Sequence, residues 1–248
     1  RLPNGESLVT PPSHCPICST RLKPLDLMPV LSYLWLRGKC RYCGAHIPGR
    51  LVVVEVVVGA LFLAVYLQFG LSVAAVVIAT ITSFLLAVAI IDLEHRLILN
   101  KMVTPAAVAA LALAPFWPSM GITRTFFGNS GMMGSLANSA LAGVGAFLFF
   151  LIIFLIYPGG MGEGDWKLAG VLGLLVGYPA ILVAIWLSTV IAGALAVLLL
   201  LLRVRGHKDA LPFGPFLAGG AYVVLLALST LLDWYDEVTE AIAGMLPF

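Results

Sequence analysis

From Leu51 onward the chain is a succession of apolar runs, most of them about the length that crosses a bilayer, and few other folds can use such runs. A helix needs about 20 apolar residues to traverse about 30 Å of hydrocarbon. Runs of this kind are expected at 51–69, 71–91, 102–117, 136–157, 179–202 and 213–232. Residues 168–177 form a shorter one, read as a half-depth helix that still reverses the chain. The runs are apolar throughout rather than at every second residue, so a β-barrel is excluded. Charged residues are 10% of the 248, too few to coat a soluble globule. The expectation is an all-α polytopic membrane protein with about seven segments. A net charge of +2 gives no basic footprint for nucleic acid, and the apolar content excludes disorder.

The polar residues are concentrated at the start. Residues 1–50 hold Arg1, Arg21, Lys23, Arg37, Lys39, Arg41 and Arg50, together with all four cysteines. The expected division is a small N-terminal module, 1–50, and a membrane domain, 51–248. With the module in the cytosol and the segments alternating, Arg96, Lys101, Lys167, Arg203, Arg205 and Lys208 also become cytosolic. Of the Lys and Arg, only Arg124 is left outside, in a loop at about 118–135, and the tail with Asp233, Asp236, Glu237 and Glu240 lacks cations. So one-sided a distribution sets the orientation. Arg1 is not a native start, and sequence is expected to precede it.

The cysteines form two knuckles, Cys15-Pro-Ile-Cys18 and Cys40-Arg-Tyr-Cys43. Each offers two sulfurs on one turn, and together they complete the tetrahedral thiolate shell of a structural Zn²⁺ with no open position. Disulfides are the alternative, disfavoured by a reducing cytosol. His14 and His46 flank the knuckles as bystanders. Between the knuckles, Leu27, Val30, Leu31 and Leu34 recur at helical spacing. They fit either a helix lying on the bilayer surface or the module's own small core.

Ionisable side chains at membrane depth are costly and usually functional. Glu55, Asp92, Glu94, Glu163 and Asp165 qualify. Asp92 ends the run LLAVAIID, Asp165 opens the short helix within GGMGEGDWKLAG, and the topology puts both at the cytosolic rim. Two aspartates that share a proton can hydrolyse an amide, one as general acid and the other as base, with neither metal nor covalent intermediate. Gly159, Gly160, Gly162 and Gly164 allow a substrate backbone close approach before Asp165. A loop aspartate at a helix start is also commonly just a cap. His95, three residues past Asp92, reads as a solvated interfacial histidine, and no serine elbow or His-Glu-x-x-His pair is present. Glu55 either pairs with a base near the rim or lines a second polar pocket.

Taken together, the knuckles, DLMPVLSYLWLRGKCRYC, HIPGR followed by Glu55, Asp92-Leu93-Glu94-His95, GEGDWKLAG and Pro212-Phe213-Gly214-Pro215-Phe216 resemble the bacterial type IV prepilin leader peptidases. These are membrane aspartyl proteases of the Gly-x-Gly-Asp type. The resemblance covers nearly the whole chain, with Arg1-Leu2-Pro3 following the family's first helix. That helix is absent here, and the family's eight spans would agree with seven plus one. The resemblance implies an enzyme of the bacterial cytoplasmic membrane that cleaves prepilins and type II secretion pseudopilins on the cytosolic side, after a glycine. Many members then methylate the new N-terminus with S-adenosylmethionine.

It also implies Asp92 and Asp165 as catalytic residues, with Gly162, Gly164, Lys167, Pro212, Phe213, Gly214 and Pro215 about the substrate cleft. Glu55 is a candidate for the methyl-donor site, and Cys15, Cys18, Cys40 and Cys43 are the metal ligands. Where the family often has Leu-Pro-Asp, this chain has Leu97-Ile98-Leu99-Asn100, and an altered loop shape is expected. Two rival readings remain: an ion-coupled transporter with midplane acids, and a scaffold whose zinc module docks a secretion component.

Overall fold

The computed structural model describes residues 3, 5, 7, 10–126, 128–157, 160–203, 211–227, 230, 234, 235, 237 and 238. Arg1, Leu2, Gly159, Arg205, Lys208, Asp233, Asp236 and Glu240, which enter the expectations above, lie outside the described residues. Eight α-helices are described: α1 (Leu31–Trp35), α2 (Gly49–Phe69), α3 (Val73–His95), α4 (Asn100–Leu113), α5 (Met132–Ile156), α6 (Glu163–Val176), α7 (Ala180–Leu201) and α8 (Gly214–Leu226). The only β pairing among the described residues is three isolated bridges. The chain divides into two units, Arg1–Gln68 and Phe69–Phe248.

In the first unit both knuckles fold the same way. Cys15 O accepts from Ser19 N at 2.9 Å and Cys15 N donates to Thr20 O at 3.0 Å. The pattern repeats with Cys40 O and Gly44 N at 2.9 Å, and Cys40 N and Ala45 O at 2.8 Å. The residue after each second cysteine, Ser19 or Gly44, takes a left-handed backbone, with φ of 54° and 70°. That is the conformation needed to turn two amides inward. Asp26 ties the connecting segment to the second knuckle, accepting from Arg41 Nε at 2.6 Å and Tyr42 Oη at 3.1 Å. Arg41 and Tyr42 are the two central residues of that knuckle.

No long surface helix forms between the knuckles. A 3₁₀ turn, Pro24–Leu27, and the five-residue α1 are separated at Pro29, which lacks an N–H, and Val30, with φ of 61°. Leu27, Leu31, Leu34 and Trp35 are exposed, so they are not the module's core. They form an unburied apolar surface.

Among the described residues four helices are long and apolar enough to cross a membrane: α2, α3, α5 and α7, of 21, 23, 25 and 22 residues. α4, α6 and α8, of 14, 14 and 13 residues, reach only about 20 Å at 1.5 Å per residue. The expected span 102–117 therefore comes out shorter. α4 stops at Leu113, and two 3₁₀ turns follow at Ala114–Phe116 and Pro118–Met120, because Pro115 and Pro118 remove helix donors. The run at 213–232 is helical over Gly214–Leu226, and 228, 229 and 231–233 lie outside the described residues.

α6 is the buried centre of the second unit. It packs on α5, α4 and α8, and nine of its 14 residues are buried. Close approach to α5 depends on missing side chains. A Cβ on Gly173 would run into the Ala142 carbonyl, and one on Gly143 would sit 2.7 Å from Leu174. In lipid, where no hydrophobic drive separates helix from solvent, contact of this kind supplies the packing energy. α7 and α8 meet similarly where Gly220 lies over Ser188. The C-terminus of α6 is closed by Arg124, which donates to Leu175 O at 2.6 Å and Ser139 Oγ at 2.9 Å. Its guanidinium lies 4.3 Å from the centre of the Trp117 ring. Burial pulls the guanidinium down to about 9, still charged at neutral pH, so a cation faces the negative helix end. Arg124 is thus folded inward.

Candidate active site and metal centre

Asp92 occupies the last turn of α3, where Arg96 N closes the helix on its carbonyl at 2.8 Å. Its side chain is 5% exposed. Oδ2 accepts from Gly214 N at 3.0 Å. Gly214 is the first residue of α8, so this N–H is one the helix itself cannot use. A Cβ at Gly214 would stand 2.7 Å from Oδ2, so any larger residue would displace the carboxylate. Asp165 is the third residue of α6 and 6% exposed, and its Oδ2 accepts from Gly162 N at 3.1 Å. Each carboxylate is thus buried, spends one oxygen on a glycine N–H and stands at a helix end.

Ile98 joins the two. Its side chain fills the place of a Cβ at Gly164, next to Asp165, and lies 3.3 Å from that of a Cβ at Gly214, the partner of Asp92. Lys167 donates to Asn100 Oδ1 at 3.1 Å, a second tie between the segments that follow the two aspartates. Asp165 lines a cavity of about 570 Å³ with Gly162, Met161, Phe150, Ile153 and Phe213, whereas Asp92 stands behind Gly214 and does not line it. Phe213 stacks at a tilt on Phe150, centroids 5.9 Å apart. Pro212 precedes α8, and Pro215 sits in its first turn. The stretch from Pro212 is therefore irregular only at its start and helical from Gly214. His95 lies 3.9 Å from Glu94 at the exposed end of α3.

Sequence reasoning had Gly214 in the cleft but not as the donor to Asp92. It had Ile98 and Asn100 only within a loop of altered shape and gave neither a contact. Ile98 carries no chemistry, so no motif marks it; two bare glycines facing one branched side chain is information only the fold contains.

In the first unit the four sulfurs of Cys15, Cys18, Cys40 and Cys43 lie within 4.8 Å of one another, and none is in a disulfide. Their titrations split apart. Hydrogen bonds from Thr20 lower Cys18 to about 6, while Cys43, against the pull of the Ala45 N–H, is pushed up to about 12 by burial and the neighbouring sulfurs. Four thiolates so close cannot all ionise without a cation among them, and the donor set is that of a tetrahedral zinc.

Glu55, on α2, lines a separate cavity of about 280 Å³ with Tyr33, Leu36, Ile47, Leu51 and Val52. Its Oε2 accepts from Val30 N at 2.7 Å.

Comparison with known proteins identifies the kinship. Residues 1–69 match the bacterial peptidase A24 N-terminal domain, and residues 79–197 match the type IV leader peptidase family. A prepilin leader peptidase/N-methyltransferase of Bacillus subtilis is 30% identical over 96% of this chain and 90% of its own length. The chain belongs to the prepilin leader peptidase family. Its similarity to relatives of the same description extends to Pseudomonas aeruginosa, 32% identical over 94% of this chain and 75% of the relative, and Pseudomonas putida, 31% over 97% and 78%. No solved structure matches. Family membership favours a membrane peptidase over a transporter or a scaffold.

Proposed function

We propose that this protein removes the leader of type IV prepilins and pseudopilins at the cytosolic face of the bacterial inner membrane, with Asp92 and Asp165 as the proteolytic pair. The observation that carries this reading is that Gly164, beside Asp165, and Gly214, the donor to Asp92, both abut Ile98, while each buried carboxylate accepts from a glycine N–H. One carboxylate, ionised, takes a proton from water as the water oxygen attacks the scissile carbonyl carbon. The other, protonated, gives its proton to the departing nitrogen as the C–N bond breaks. The products are a leader with a new carboxylate and a mature chain with a free N-terminal amine. Asp165 opens to the cavity and meets the substrate; Asp92 faces it from behind Gly214.

The seven apolar segments lie in the membrane, the short α4, α6 and α8 shielded by longer neighbours, and the cation distribution keeps both ends of the site on the cytosolic side. Residues 1–50 form the zinc module and 51–248 the membrane domain. Zinc on the four cysteines is structural. Methylation of the new amine is the second activity. S-adenosylmethionine, when bound, supplies an electrophilic methyl group. The cavity at Glu55 fits such a cationic, partly apolar donor, with the carboxylate to pair its charge, the Tyr33 ring, and aliphatic walls from Leu36, Leu51 and Val52.

The test is cleavage of a prepilin by purified protein in lipid, comparing the parent with Asp92→Asn and Asp165→Asn at matched folding. The expected result is cleavage after the leader glycine by the parent and none by either variant. Variants that cut as well as the parent would overturn the assignment.

A further inference from the structure

The cavity at Asp165 does not end where the carboxylate is served. It shares Phe149, Ile185 and Thr189 with a second cavity of about 580 Å³ that continues between α5 and α7 to Tyr178. The two adjoin at these three residues and together form a groove. Asp165 stands near the start of α6 and Tyr178 two residues past its end, so the groove runs for about the length of α6, about 20 Å.

Three features describe its occupant. The far half is lined by apolar groups, and its one aliphatic hydroxyl, Thr189 Oγ1, already donates to Ile185 O at 2.8 Å. Backbone entering it must therefore satisfy its own hydrogen bonds, which in hydrocarbon means a helix. The α5 wall is built of Ala142, Gly145 and Ala146, and a Cβ at Gly145 would meet nothing within 4 Å. Small residues three and four apart give a helix backbone room to come close. The near end carries a buried carboxylate, from which a lipid tail gains nothing and a peptide bond gains everything.

Resting on the proteolytic reading above, we propose that the α5–α7 groove is the docking site of the substrate's own hydrophobic helix. That helix lies along Ala142, Gly145 and Ala146, and its N-terminal end delivers the scissile bond to Asp165. Specificity for prepilins then resides partly in a transmembrane helix–helix contact some 20 Å deep, and not only in the residues beside the cut.

The experiment has two arms, both on the full chain in lipid. In an Asp165→Asn background, p-benzoylphenylalanine is placed at Leu141 or Trp186, which line the groove, or at Val144 or Ile191, which are exposed elsewhere on the same helices. Illumination with a prepilin should give adducts from Leu141 and Trp186 and none from the other two. Equal capture at Val144 and Ile191, or capture of phospholipid alone at the groove positions, overturns the proposal. In the second arm, Gly145→Leu fills the groove remote from the aspartates, with Val144→Leu as its outward control. Gly145→Leu should lower kcat/KM for a membrane-anchored prepilin about tenfold or more through KM, with Val144→Leu near the parent. Unchanged cleavage by Gly145→Leu also overturns it. Failure of the dyad shows differently, as Asp165→Asn cleaving like the parent, whatever the groove positions capture.

Discussion

At the scale of residues, the site depends on what two glycines lack. Gly214→Ala would push a methyl group to within 2.7 Å of Asp92 Oδ2, so the carboxylate must turn and lose its donor. We expect kcat to fall about a hundredfold with KM little changed, the scale of a misplaced reacting group, checked by steady-state cleavage of a prepilin in lipid. Ile98→Ala leaves both carboxylates intact but removes the side chain against which Gly164 and Gly214 are set. It should cost about tenfold or more in kcat, and Ile98→Val should recover most of the loss. An unaffected Ile98→Ala enzyme would mean that the backbone alone sets the spacing. The aspartates were legible in the sequence because charge at membrane depth is costly and visible. Ile98 was not, because a branched aliphatic among apolar runs carries no signal until two distant glycines are brought to it.

At the scale of elements, α6 is too short to cross the membrane and is held by its neighbours instead. Gly173 has the Ala142 carbonyl where a Cβ would go, whereas a Cβ at Gly145, on the same neighbouring helix, would meet nothing within 4 Å. Gly173→Ala should therefore destabilise the folded protein by about 1–3 kcal/mol, measured by unfolding in mixed micelles, while Gly145→Ala stays close to the parent. Arg124 closes the other end of α6. Replacing it by Met leaves the Leu175 carbonyl buried without its donor and removes the stacked cation from Trp117. A loss of about 1–3 kcal/mol is expected. Lys should not restore it, since an ammonium can neither fork to Ser139 and Leu175 nor lie flat on the indole.

At the scale of the whole molecule, the cysteine cluster and the two aspartates lie in separate units. The cysteines lie within residues 1–68 and both aspartates within 69–248. Purified protein should carry one zinc per chain. Acidification should release it as protons reclaim the thiolates, because bound metal requires deprotonated ligands. Less than half an equivalent by metal analysis, with the thiols reduced and no chelator used, would count against the site. Once the metal is removed, limited proteolysis should cut within 10–48 well before α3–α8, since the knuckles are tied chiefly by their own turns and by Asp26.

The sequence by itself determined the membrane class, the tetrathiolate cluster and the two buried acids. Each is a local property: an apolar run, a two-residue spacing between cysteines, a charge where hydrocarbon should be. Such features keep their meaning whatever the rest of the chain does. The tertiary structure decided what depends on two remote segments meeting. Asp92 and Gly214 are 122 positions apart, Asn100 and Lys167 are 67 apart, and neither partner announces the other. It also decided that Arg124 turns inward to close α6, and that the cavity between α5 and α7 shares Phe149, Ile185 and Thr189 with the cavity at Asp165. Helix packing assigns these neighbours, and a pattern of apolar residues that is uniform around each helix leaves the facing side unmarked.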